Sequence, residues 1–221
     1  VAPQSGRTLG FAGTVEPQFR TNLGFRVLGR MVARDVNVGD VVAKGTRLAA
    51  IDPLAFELAV RTSQADLSNA LAQLANAAAT ETRQRTLLDT NTTTPAQFEL
   101  AQQAREAADA TVTRARANLS KAIEQLGYTN LLADFDGVVT AIEAEVGQVV
   151  SAGKTVVTLA RPDIREAVVD VPEDLSGELR PGATFNVSLQ IDASVQAVGQ
   201  VREIAPQADS TTRTRRVRIT L

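Results

Sequence analysis

The chain has no cysteine, no histidine and no tryptophan, and only one methionine and one tyrosine among its 221 residues. Without cysteine there is no disulfide and no thiolate nucleophile, a composition compatible with an oxidising compartment. Without histidine the commonest general base and the commonest metal ligand are both missing. One methionine and no cysteine speak against a soft-metal site, and so against handling of copper-type ions. Aromatic residues make up 4% of the chain, too few for a platform that stacks bases or sugars. A formal net charge of −2 leaves no broad basic surface, so nucleic acid is not an expected partner. No run of about 18 apolar residues is present, so no helical membrane span is expected within this sequence. Together these absences predict a protein that is not an enzyme and holds no metal and no cofactor. The chain does not begin with methionine, which reads as a processed or trimmed fragment.

What is present is a split repeat. Residues 29–51, GRMVARDVNVGDVVAKGTRLAAI, are echoed at 137–159 by GVVTAIEAEVGQVVSAGKTVVTL. Gly29, Gly39 and Gly45 match Gly137, Gly147 and Gly153, and Ala33, Val38, Val41 and Val42 match Ala141, Val146, Val149 and Val150. Short β-branched runs favour strands, and glycine between them permits tight turns, so all six glycines are expected at structural turns. Two copies rather than an array predict one small domain of two similar halves, packed as a flattened β-sandwich or barrel.

Between the halves the pattern is helical. Asp52-Pro53 is a start signal, with Pro53 at the first helical position. From there to about Leu88 no glycine or further proline occurs, and Val60, Leu67, Leu71, Leu74, Ala78 and Leu88 form one stripe. Such a helix would be roughly 50 Å long. After the break at 89–95, Thr94, Pro95 and Gln97 fit a capping box, and Gly127 is the expected stop. The second stripe is Phe98, Ala101, Arg105, Ala108, Val112, Ala115, Leu119, Ala122 and Leu126, with alanine at every seventh residue. A short link joins antiparallel neighbours, so residues 53–126 predict a coiled-coil α-hairpin with its tip near 85–95.

The rest reads as strands. Residues 1–22 are an entry arm with a strand near 14–20, able to pair with a second β-domain at 161–221. Strand-like runs lie at 166–171, 185–191 and 197–204, and a short helix is expected at 172–179. Residues 215–221, RRVRITL, look like a strand cut off without a partner, so both ends read as incomplete. The expected order is therefore an arm (1–22), a first half-domain (23–52), the hairpin (53–126), a second half-domain (127–160) and a β-barrel (161–221).

The two GxxxA…VGxVVxxG halves around a coiled-coil hairpin resemble one family. It is that of the periplasmic adaptor subunits, or membrane fusion proteins, of tripartite efflux pumps. The half-motifs resemble split lipoyl domains, so the implied fold is α+β: an antiparallel coiled-coil α-hairpin inserted into a split lipoyl-like β-domain, followed by a β-barrel. The segment Ala133-Asp-Phe-Asp-Gly137 resembles the family's A-P-F-D-G motif, with Asp134 in place of the usual proline. Arg213-Thr-Arg215 after Asp209 resembles its D-xx-T-R-T stretch. Hairpin length and entry pattern look most like adaptors of the resistance-nodulation-division (RND) type. These carry a tip motif of arginine, leucine four residues on, and serine seven further; Arg83, Leu87 and Thr94 stand at those positions, with threonine for serine. The resemblance implies an inner-membrane transporter and an outer-membrane channel as partners, export of drugs or toxic compounds driven at the transporter, and a ring, of six copies, in the periplasm. It also implies a membrane anchor before Val1 and a membrane-proximal domain beyond Leu221. An adaptor of an ATP-driven export or type I secretion system has the same architecture and is the alternative.

Other readings of the same residues compete. Arg83, Leu87 and Thr94 also fit a solvated arginine, a core leucine and a helix cap. A swinging-arm carrier needs an exposed lysine between the halves; a helical hairpin stands there instead, and Lys44 and Lys154 are not equivalent. The carboxylates Asp134/Asp136, Glu143/Glu145 and Asp170/Glu173/Asp174 read as turns, solvated faces and a helix start. Arg213, Arg215, Arg216 and Arg218 read as strand-face charge that could also meet the transporter or a neighbouring subunit.

Overall fold

The computed structural model describes residues 10–177 and 179–221; residues 1–9 of the expected arm lie outside them. Two β-units and one helical hairpin are built in the order the sequence suggests.

The repeat folds as two interlocked halves. The first contributes β2 (Arg20–Leu23), β3 (Gly29–Arg34), β4 (Val41–Val42) and β5 (Arg47–Ile51); the second contributes β6 (Asn130–Leu132), β7 (Gly137–Ile142), β8 (Val149–Val150) and β9 (Val157–Ala160). The sheets run β2-β9-β7-β4 and β6-β5-β3-β8. Each half therefore lends its two-residue strand to the other: β4 pairs with β7, and β8 with β3. The turn glycines make the exchange possible. Gly39 and Gly147 have φ of 96° and 95°, where a Cβ is disfavoured. Gly39 N–H donates to the Val139 carbonyl and Gly147 N–H to Met31, each at 2.8 Å. Gly45 and Gly153, also at positive φ, donate to Ala133 (2.8 Å) and Phe25 (2.9 Å). Every one of these bonds crosses from one half to the other.

Gly29 and Gly137 are not turn residues. They open β3 and β7, where close approach excludes a side chain: a Cβ on Gly137 would lie 2.7 Å from the Ala160 carbonyl oxygen. The repeat also begins earlier than residue 29. Thr21-Asn22-Leu23 lies in β2, and Thr129-Asn130-Leu131 runs from the turn before β6 into it, so the two copies lead into matching outer strands of the two sheets. Phe25, Met31, Leu48, Ile51, Val156 and Leu159 fill the space between the sheets.

The hairpin is α1 (Leu54–Asp89, 36 residues) and α2 (Pro95–Gly127, 33 residues), each roughly 50 Å long. Helix α1 starts one residue later than expected. Pro53 is the cap residue, while the Asp52 carboxylate accepts from Leu54 N–H at 3.0 Å. At α2, Thr94 Oγ1 accepts from Gln97 N–H at 3.4 Å, one half of the expected box; among the described residues the Gln97 side chain makes no return bond. Gly127 does not end α2 in a left-handed turn. It is the last helical residue, and Thr129 stops the helix by giving both N–H (3.1 Å) and Oγ1 (2.7 Å) to the Leu126 carbonyl. The Arg26 guanidinium lies 5.0 Å over the Tyr128 ring and fastens the base of the hairpin to the β2–β3 loop.

The α2 stripe faces α1 as its spacing predicts, with Ala101, Val112, Ala115 and Ala122 buried. On α1 the expected stripe holds at Val60, Leu67, Leu74, Ala78 and Leu88, all half-buried, and fails at Leu71, which is 41% exposed; its neighbour Ala70 is buried instead, at 4%. Ala70 packs with Val112, Ala115, Leu67 and Leu74. Small residues on both helices bring the backbones close, so the contact falls on alanine rather than on the larger neighbour. Within the seam Arg105 Nε meets Glu81 at 2.7 Å.

The second β-unit is a five-stranded antiparallel sheet, β1 (Gly13–Pro17), β10 (Arg165–Pro172), β13 (Thr214–Thr220), β12 (Gln196–Ile204) and β11 (Thr184–Ser188), in that order. The arm strand β1 joins it through β10. Far from lacking a partner, β13 is the central strand, bonded to both β10 and β12. Residues Leu189 and Ile191, expected in a strand, lie beyond β11, and Ile191 is fully exposed. The short helix α3 (Glu173–Ser176) is briefer than the 172–179 expected. Ala167, Val171, Val201, Val217 and Ile219 form the core.

Part of each charged cluster finds a partner inside the chain. Arg216 pairs with both oxygens of Asp170 (3.0 and 3.2 Å), Arg215 with Glu173 (3.5 Å) and Arg218 with Glu166. Arg213 takes φ of 52° in the preceding turn. Asp136 accepts from Lys44 N–H at 2.6 Å, tying the two halves of the sandwich. Asp209 accepts from Thr211 N–H (2.9 Å), Thr212 N–H (3.0 Å) and Thr212 Oγ1 (3.2 Å). These bonds, the Thr212 N–H first, hold its carboxyl below the ordinary value of 3.8. A depressed folded-state value means that this turn adds stability above about pH 4 and loses it as pH falls through the lower, folded value. Asp209→Asn is therefore expected to flatten the acid limb of the barrel's stability below pH 4, read by thermal melting at several pH values. An unchanged limb would show that the turn does not titrate with folding.

Candidate docking site at the hairpin tip

Helix α1 closes in a Schellman turn. Asn91 takes φ of 55° and donates to the Leu88 carbonyl at 2.9 Å, while Thr92 N–H donates to Leu87 at 2.8 Å. Asparagine tolerates this conformation because its short polar side chain can compensate locally. The tip is further tied by Thr93 Oγ1, which donates to Gln84 Oε1 at 3.1 Å. An asparagine just past a long helix is the sequence signal that marks this turn.

Arg83 and Leu87 stand one turn apart on α1 and line the same shallow groove with Thr82 and Thr86. Both lie beside the seam, which here runs through Glu81, Gln84 and Leu88. Leu87 is 39% exposed, so it is not a core leucine. The hydroxyls of Thr82 and Thr86 turn back to the Ala78 (2.9 Å) and Thr82 (3.2 Å) carbonyls. Arg83 Nη2 donates to Thr80 Oγ1 at 2.9 Å, and among the described residues it meets no carboxylate. Its remaining N–H groups are left for outside acceptors. Thr94 is exposed and caps α2; it does not line the groove. The surface thus offers one apolar anchor beside one free cation, suited to binding and not to proton transfer.

Comparison with known proteins agrees with this architecture. Residues 20–160 match the family description "RND MFP, barrel-sandwich hybrid domain", and residues 167–221 match "CusB-like, beta-barrel domain". The chain is 27% identical to multidrug resistance protein MdtA of Klebsiella pneumoniae, over 91% of this chain and 51% of that protein. It is 28% identical to multidrug resistance protein MdtE of Escherichia coli K12, over 85% of this chain and 52% of that protein. It spans about half the length of these curated relatives. The crystal structure of MacA from Actinobacillus actinomycetemcomitans shares the fold, with a TM-score of 0.79 at 21% identity over 95% of this chain and 71% of that one. An α-hairpin inside a barrel-sandwich hybrid (lipoyl-like) domain, followed by a β-barrel domain, places the chain in the RND membrane fusion protein family.

Proposed function

We propose that the chain is part of a periplasmic adaptor that links an inner-membrane, proton-driven transporter to an outer-membrane channel for export of drugs or toxic compounds. The carrying observation is the long hairpin mounted on the interlocked sandwich, with Arg83 and Leu87 presented off its seam. The adaptor does no chemistry; it seals and couples. Leu87 enters an apolar groove between channel helices, Arg83 donates to carbonyls or carboxylates beside it, and Thr94 bonds across the contact while capping α2. Six copies in a ring repeat this contact, so a small energy per tip becomes a firm grip. The membrane anchor lies in sequence before Val1. The multidrug resistance relatives favour drug-like cargo over a secreted protein.

The test is compound susceptibility of a deletion strain carrying the full-length protein, wild type or Leu87→Asp. Leu87 is 39% exposed in the last turn of α1, so the substitution should cost about 1 kcal/mol of stability, from lost cover and an acid at a helix C-terminus. In a docked apolar groove the same carboxylate would cost several kcal/mol per copy, about 2 or more. Wild type is expected to restore resistance and Leu87→Asp, expressed and folded, to fail. Equal restoration would remove the tip assignment. No change for any compound with either protein would favour the ATP-driven or secretion adaptor.

A further inference from the structure

We propose that Glu81 and Arg105 are a positioning pair that locks the register of the hairpin and so holds the tip residues in alignment. The seam of this coiled coil is nearly degenerate under a seven-residue slide. Alanine recurs at 101, 108, 115 and 122 of α2 and at 70 and 77 of α1. The larger seam positions recur as well: 60, 67, 74, 81 and 88 on α1, and 98, 105, 112, 119 and 126 on α2. Each series is apolar but for one member. The exceptions are Glu81 and Arg105, and they face each other at 2.7 Å. Both side chains are largely covered, at 22% and 35% exposure. A slide of one heptad, about 10 Å along the axis, would replace alanine by alanine at little cost. It would also set Arg105 against Leu74 or Leu88, and Glu81 against Phe98 or Val112, leaving Glu81 half-covered and unpaired and Arg105 with only the exposed Glu106 of its own helix, 3.9 Å away. One charged pair in a mostly apolar seam specifies register in this way, with Gln84 as the polar end of the alanine series, bonded to Thr93 at the tip. The same slide would carry Arg83 and Leu87 away from Thr94, so the pair's value for docking rests on the function proposed above. The register itself does not.

The absence of native cysteine makes the test clean. Ala77→Cys with Ala108→Cys reports the native register; Ala77→Cys with Ala101→Cys, or with Ala115→Cys, reports the slides, because a disulfide needs Cα atoms within about 7 Å. These pairs are placed in the full chain carrying wild-type, Glu81→Leu/Arg105→Leu, Glu81→Arg or Glu81→Arg/Arg105→Glu seams. The wild type is expected to give the native crosslink almost alone. The apolar double variant and the single Glu81→Arg variant should raise the slipped-to-native ratio at least tenfold, and the charge swap should return it to the wild-type value. A folded apolar double variant that keeps the wild-type ratio overturns the proposal. So does a charge swap that slips as much as the single variant, a comparison that still decides if the apolar variant fails to fold. Because the crosslinks read the hairpin alone, failure of the efflux reading leaves this result standing, and the reverse.

Discussion

Gly137→Ala is expected to destabilise the sandwich by about 3 kcal/mol, and Gly29→Ala by less, about 2 kcal/mol, although the two glycines occupy matching places in the repeat. The difference lies in what the new methyl would meet. At Gly137 it would sit 2.7 Å from the Ala160 carbonyl oxygen and 3.0 Å from Leu159 Cγ. Ala160 lies in β9, which is paired to both β7 and β2, so its backbone cannot withdraw without breaking a ladder. At Gly29 it would meet only the buried Ile51 side chain, with Cδ1 at 2.6 Å, Cβ at 3.0 Å and Cγ1 at 3.1 Å. A rotamer change can withdraw Cδ1, but Cβ yields only with a small backbone shift of β5, so the cost is smaller than at Gly137 and not trivial. Hydrogen exchange at the Met31 and Val139 amides reads each half of the exchanged strand pair. Equal losses at the two sites would mean that the halves yield alike and that the backbone contact at Ala160 is not the limiting one.

The second large effect is expected in the barrel. Arg202→Ala/Arg218→Ala should cost about 3–5 kcal/mol, whereas Glu166→Leu should cost about 1 kcal/mol. Glu166 is the most deeply buried charged residue described, with 1% of its side chain exposed. Arg202 Nη2 meets one of its oxygens at 2.7 Å and Arg218 Nη1 meets the other. Removing both arginines strands a carboxylate in a dry site. Removing the carboxylate strands nothing, because the arginine side chains, 38% and 34% exposed, already reach water. The clamp joins β10 to β12 and β13, so the loss should appear as early unfolding of the five-stranded sheet in a urea series, with the hairpin's helical signal unchanged. A smaller loss for the double arginine variant than for Glu166→Leu would reverse the assignment of which partner is the costly one to leave alone.

Much of the architecture is written in local, periodic signals. The glycine spacing at 29, 39 and 45, and again at 137, 147 and 153, marks two like halves wherever they pack. The alanine series of α2 names the face that meets α1, and Thr94-Pro95 marks the start of that helix, because capping and periodicity depend only on neighbours along the chain. The tip pattern of Arg83, Leu87 and Thr94 is also legible, but only through its likeness to a family motif; the residues alone suit a surface, a core and a cap equally well.

The tertiary structure decided what depends on residues far apart. It alone shows that β4 and β8 change places, so that glycines read as turns also bond across the halves, and that Gly29 and Gly137 serve close approach instead. It puts Ala70 rather than Leu71 on the seam, since the distance between helices, set by both, selects the small residue. It makes β13 a central strand and sets Arg215, Arg216 and Arg218 in ion pairs with α3 and β10, the last of them with the buried Glu166. And it sets Arg83 and Leu87 together in one groove with Thr94 outside it. Pairing partners, burial and charge neutralisation are properties of surfaces brought together by folding, and no spacing along a single strand or helix encodes them.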